Sequence, residues 1–278
     1  MVVERRLEII SYSMKPIELK ELRELQMRIL DYVDSFCRSY NIKYTISGGT
    51  LLGAVRHGGY IPWDDDMDIQ MLRDEYDKFT QLWNKHKNEH PFEFISIESG
   101  NAIGYVFGKV HDPKTITFVH GLERTGVYID IFPVDIVVDE IDFSHRRRII
   151  KKLKRKESAA FVLSFRETSH VGFIQVLKCL FLTLGYPRTH FSAKINEIAK
   201  SKNSSGGLLV FEMVAGIKCK QPMPKAVFDE YTDITFENRH YMAVKDYDTY
   251  LSNTFGNYMI PPPVEKQVRE HSFTAYWR

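Results

Sequence analysis

The order of apolar periodicities predicts an α/β chain, with a mixed sheet and flanking helices in the first half and a largely helical second half. Three observations carry this prediction. Apolar residues recur at helical spacing over residues 17–40 and again over 73–87. Strict two-residue alternation marks residues 66–71 as a strand with an acidic and an apolar face. The composition then changes near His145, where a basic run precedes an apolar one. The chain has 278 residues, enough for one large domain or two small ones. With 44% hydrophobic and 27% charged residues it is no disordered, collagen-like or low-complexity chain.

In order along the chain, Leu19, Leu22, Leu25, Ile29, Val33, Phe36 and Cys37 give the first helix its core face. Residues 43–47 form a short strand, broken by Gly48-Gly49, and Thr50 is placed to cap a helix over 51–57. After the strand at 66–71, Tyr76, Phe79, Leu82 and Trp83 mark the next helix. Strands are expected around 93–97, 105–110, 115–120 and 126–132. Residues 201–207 form a loop, and Pro261-Pro262-Pro263 a rigid piece. The boundary near 140 separates an α/β core, 1–140, from a largely helical region, 141–278, expected to pack on it as one structural unit. Cys37, Cys179 and Cys219 are an odd, widely spaced set, neither a disulfide framework nor a zinc pattern. The start of the chain lacks a secretory pattern, and no run of about 18 apolar residues occurs. The expected location is cytoplasmic.

Asp64, Asp65, Asp66 and Asp68 put four carboxylates within five residues. Asp66 and Asp68 share a strand face, where like charges repel unless a cation or basic partner lies between them. A solvated turn and a calcium loop running from Asp64 to Glu75 compete with the metal reading, but Ile69 stands where the calcium loop needs glycine. Asp130 sits mid-strand among apolar residues, where it should be hydrogen-bonded, paired or metal-bound. If its strand neighbours the acidic one, three carboxylates meet. Ser47-Gly48-Gly49-Thr50 lies at a strand-to-helix junction, where backbone N–H groups can approach a phosphate. A Gly-Gly turn followed closely by Asp-x-Asp on a strand is the plan of a metal-dependent site for a phosphate ester.

The stretch from Ser47 to Ile69, SGGTLLGAVRHGGYIPWDDDMDI, resembles the signature of the LicD family, a branch of the nucleotidyltransferase fold shared with DNA polymerase beta and related to fukutin-type proteins. YIDIFPV from Tyr128 resembles the family's third-carboxylate strand, and YDTYL from Tyr247 with FGNYMIPPP from Phe255 resembles its closing motif. The resemblance implies a nucleotidyltransferase-fold core and transfer of phosphocholine or a polyol phosphate from a CDP-linked donor to an oligosaccharide or lipid-linked glycan acceptor, releasing CMP. It makes Asp66, Asp68 and Asp130 the catalytic carboxylates and the ligands of Mg²⁺ or Mn²⁺. It gives the donor phosphates to Ser47, Gly48, Gly49 and Thr50, with Arg56, Asp64 and Lys109 beside them; His111 and Lys114 are weaker candidates of the same kind. An enzyme that moves a nucleoside monophosphate, and a silent glycan- or cation-binding module, are the alternatives.

Eight Lys or Arg fall between Arg146 and Lys156, and an apolar stretch follows at 171–186. The block reads as a solvated helix face, as an attachment to the anionic inner face of the plasma membrane, or as a nonspecific phosphate binder. No nucleic-acid motif accompanies it, and no nucleic-acid partner is expected.

Overall fold

The computed structural model describes residues 14–100, 105–119, 122–123, 125–164, 173–215, 221–269 and 273–278. The chain start, Cys219, His120 and the first two residues of the apolar stretch at 171–186 lie outside the described residues. Helix α1, Leu19–Ser39, follows from the predicted spacing and buries Leu22, Leu25, Ile29, Leu30 and Val33. Strand β1, Thr45–Ile46, leads into α2, Gly48–His57. This helix begins three residues earlier than predicted. Gly48 takes a left-handed φ of 53°, which lets the chain turn from strand to helix at once, so Ser47 rather than Thr50 holds the N-cap position. Strand β2 is Asp68–Leu72, α3 is Arg73–Lys85, β3 is Glu93–Ile95 and β4 is Gly108–His111. Strands β5, Thr115–Val119, and β6, Leu122–Glu123, precede the longest strand, β7, Tyr128–Val137.

The main sheet runs β1-β2-β7-β4-β3. Its β2 and β7 are parallel, with Asp68 opposite Asp130, and its other pairings are antiparallel. Ile69, Met71, Ile129 and Ile131 are buried between the strands' flanking helices, together with Phe79 and Trp83 of α3. Beyond β7, α4 spans Glu140–Ser164, α5 Phe173–Thr183 and α6 Arg188–Lys200. The helical expectation holds through α6, and strands then return. Strand β8, Leu209–Phe211, pairs with the far end of β7 and with β9, Met223–Pro224. The hairpin β10, Tyr231–Phe236, and β11, Arg239–Val244, precedes α7, Tyr247–Phe255. Finally β12, Phe273–Trp277, pairs with β5 beside the start of α1.

A second apolar cluster, which includes Val137, Phe143, Ile150, Ile195 and Phe211, joins α4, α6 and β8. A buried polar network links it to the main sheet. Arg73 donates to both carboxylate oxygens of Asp135, at 2.8 and 3.0 Å, and to Asn196 at 3.0 Å. No helix among the described residues is long and apolar enough to cross a membrane.

Candidate active site

The parallel register of β2 and β7 sets Asp68 beside Asp130 on strands about 4.8 Å apart. Asp66 lies just before β2, off the strand on which it was predicted, because the ladder begins only where Asp130 N–H donates to the Met67 carbonyl at 3.0 Å. Its carboxylate is hydrogen-bonded with Asp64, and ligand oxygens of Asp64, Asp65 and Asp66 all lie within 4.8 Å of one another. Burial, then the charges of Asp66, Asp130 and Asp64, raise the Asp68 carboxyl well above the usual range, while Lys109 pulls the other way. Asp64 is pushed up to about 8, by burial first and by Asp66 second. The calcium-loop reading fails on geometry. Glu75 lies on α3 and accepts from the Lys43 N–H instead.

The glycines are fitted to these acids. A Cβ at Gly48 would stand 3.3 Å from Asp68 Oδ2, and one at Gly49 would stand 2.6 Å from Asp64 Oδ2. The turn is also tied to β2. Ser47 N–H donates to the Asp68 carbonyl at 2.9 Å, and Asp68 N–H donates to Thr50 Oγ1 at 2.9 Å. Ser47 Oγ is buried at this turn and has no hydrogen-bond partner among the described residues. An oxygen-only donor set beside a glycine turn with an orphaned hydroxyl fits a divalent cation and the phosphates it accompanies.

Lys109, expected at the donor phosphates, is ion-paired with Asp130. Its ammonium lies 3.6 Å from the centroid of the Tyr128 ring and 5.3 Å from that of Tyr105. Burial alone would lower its pKa, and Asp130 and the two tyrosines reverse that, so it stays protonated. Arg56 is not brought to the cluster. It lies eight residues beyond Gly48, about 12 Å along α2, and donates to the Tyr258 carbonyl at 2.7 Å. His111 is buried opposite Tyr128, and Lys114 lines a separate cavity with Arg28, Tyr32 and Trp277.

Three positioning residues were not legible in the sequence. Arg23 of α1 donates to the carbonyls of Ile61, Pro62 and Asp64, pinning the acidic loop. Tyr250 of α7 donates to Gln70 at 2.9 Å and accepts from Gly48 N–H at 3.4 Å. Glu237, in the β10–β11 turn, accepts from Tyr60 N–H at 3.1 Å. Arg23 sits where any exposed helix arginine would, and only the YDTYL motif hinted at Tyr250.

A family model described as LicD/FKTN/FKRP, nucleotidyltransferase domain, matches residues 41–170. The lipopolysaccharide cholinephosphotransferase LicD of Haemophilus influenzae is 32% identical over 282 residues, covering 95% of this chain and 99% of that protein. The human ribitol 5-phosphate transferase FKRP is 37% identical over 121 residues, 42% of this chain and 21% of that protein. An uncharacterized protein of Rickettsia typhi is 53% identical over 47 residues, 17% of this chain and 15% of that protein.

Proposed function

Since this chain belongs to the LicD family, we propose that it is a phosphotransferase that moves phosphocholine, or a similar phospho-substituent, from a CDP-linked donor to a cell-surface glycan and releases CMP. The observation that carries this reading is the parallel pairing of Asp68 with Asp130 beside a glycine turn pressed against Asp64 and Asp68. The same pairing supports a nucleotidyltransferase fold. The return of β8 to β7 and of β12 to β5 supports one structural unit across residue 140.

Asp66, Asp68 and Asp130 would hold Mg²⁺ or Mn²⁺, which when bound would offset the charge on the donor phosphates as it grows in the transition state. The N–H of Gly49 and the Ser47 hydroxyl bind the donor phosphates, with the Gly48 N–H joining them on release from Tyr250. Thr50 keeps β2 in place under them. Lys109 is ion-paired with Asp130 and orients it, and the Asp130 carboxylate would take the proton of the attacking sugar hydroxyl. The hydroxyl oxygen bonds to the choline-bearing phosphorus, the bridging P–O bond breaks, and CMP carries away that electron pair. The reaction is placed in the cytoplasm, at the inner face of the plasma membrane.

The test is CMP release from CDP-choline, CDP-ethanolamine, CDP-glycerol and CDP-ribitol with a glycan acceptor. One donor should turn over, EDTA should stop it, Mg²⁺ should restore it, and Asp66→Asn should lack it. Turnover indifferent to EDTA would reject the metal, and a product carrying the nucleotide would reject the direction of transfer.

A further inference from the structure

The helical layer carries a surface that the reaction chemistry leaves unused. Of the fifteen exposed large hydrophobic side chains among the described residues, eight lie between Phe173 and Tyr186. Phe173 is 77% and Phe181 83% exposed, and Ile174, Leu177 and Leu180 are exposed with them. Only Cys179 and Thr183 of α5 are buried. A water-facing surface seldom leaves such a patch without a partner. At eleven residues α5 is about 16 Å long, too short to cross a bilayer but suited to lie in its surface.

The neighbouring charge identifies the partner. Helix α5 packs on α4. Within the basic block, Arg146 is a structural residue, buried and donating to the carbonyls of Ile136 and Ala199. Arg148, Lys152 and Arg155, at i, i+4 and i+7, form one exposed stripe. Beside it lies a groove of about 640 Å³, walled by Arg148, Lys151 and Arg155 and floored by Phe143, Ile150 and Phe211. Basic walls on an apolar floor suit an amphiphile with an anionic head. A second copy meeting this face across a twofold axis would oppose like charges. A nucleic acid would satisfy the arginines and leave α5 in water. An anionic bilayer satisfies both.

This layer also reaches the side chains beside Asp130. Arg188 of α6 is ion-paired with Glu157 and lies 4.7 Å from the ring centroid of Phe161, both on α4. It also stands 5.3 Å from the centroid of Tyr105, the ring that Lys109 contacts beside Asp130. We propose that the α4–α5 face docks on an anionic phospholipid bilayer, α5 lying at the acyl boundary and α4 on the headgroups, which presents the site to an acceptor carried on a lipid. The docking stands on the surface alone, and the acceptor clause rests on the function proposed above.

The experiment is co-sedimentation of the full chain with phosphatidylcholine vesicles and with mixed phosphatidylcholine–phosphatidylglycerol vesicles. Binding should be roughly tenfold tighter to the mixed vesicles and should weaken with salt. Phe173→Glu with Phe181→Glu should lose binding to both, and Arg148→Glu with Lys151→Glu should lose the preference for the anionic ones. Phe181→Ser, a milder change, should weaken binding if the double glutamate variant does not fold. All of these should release CMP normally with a water-soluble acceptor. Asp68→Asn should bind vesicles like the unaltered protein, which separates a failure of docking from a failure of the catalytic reading. The proposal is overturned by absence of vesicle binding at low salt, by RNA binding that competes equally, or by a dimer in solution that Phe181→Ser dissociates.

Discussion

At one end of the paired strands β2 and β7, Asp68 and Asp130 lie side by side with Asp64 and Asp66 close by and the Lys109 ammonium among them. At the other end, five residues along each strand, Arg73 grips both oxygens of Asp135, and Asn203 donates to the same carboxylate at 2.9 Å. The first end is half-buried and the second fully buried, and only the second gives its central carboxylate a two-pronged cationic partner. Its guanidinium meets both oxygens of Asp135, with Glu98 and Asp77 farther off at 3.8 and 3.9 Å, and it fastens the sheet to α6 through Asn196. The first gathers more anions than its ammonium offsets, at a cost in stability that folding alone gives no reason to accept. The fork-paired carboxylate fastens elements together, whereas like charges gathered against glycines are what a site for a cation and phosphates would need.

The largest expected difference between the two ends is in turnover. Asp68→Asn should lower CMP release by roughly three orders of magnitude. In metal-free buffer the same change should leave the denaturation midpoint unchanged or raise it, since the carboxylate it removes is already disfavoured by burial and by its neighbours. A clear loss of stability would show that this end, too, is architectural. Asp135→Asn should do the opposite. Leaving the buried Arg73 without its anion should cost about 3–5 kcal/mol in urea melts while turnover per folded molecule is retained. Gly49→Ala sharpens the contrast on a smaller scale. Its methyl would push against Asp64, so the KM for donor should rise roughly tenfold with a stability change within about 1 kcal/mol. The smallest effect is acid sensitivity. His111, opposite Tyr128 at the acidic end, has its pKa lowered by burial. Below about 6.5 the unfolded chain takes up a proton that the folded one refuses, so stability falls as pH falls toward the folded pKa and is flat above that window. His111→Gln should flatten the pH dependence of the urea midpoint between about pH 5 and 7.

The acidic end was largely legible in the sequence because each of its features breaks a local rule: an aspartate inside an apolar strand, two glycines at a turn, acids at alternate positions. The architectural end was not. The strand expected over 126–132 falls short of β7, which runs through Pro133 to Val137. Pro133 is tolerated because pairing with β4 ends at Ile131 and pairing with β8 starts at Asp135, so that edge of β7 carries no partner where the N–H is missing. The network beyond it was hidden with the strand. Helices α1 and α3 were readable from their one-sided burial, whereas the β10–β11 hairpin left no clear alternation, since Tyr231 to Phe236 is mostly exposed. Arg23 was invisible for another reason. Its partners are backbone carbonyls, which leave no residue signature.

Tyr250 joins Gly48, 202 residues before it, to Gln70, 180 residues before it. During synthesis the acidic strand and its glycine turn leave the ribosome long before this hydroxyl exists to brace them. A nascent chain that stops short of α7 can form the β2–β7 ladder but lacks the brace, so fixing the glycine turn against β2 belongs among the late events of folding.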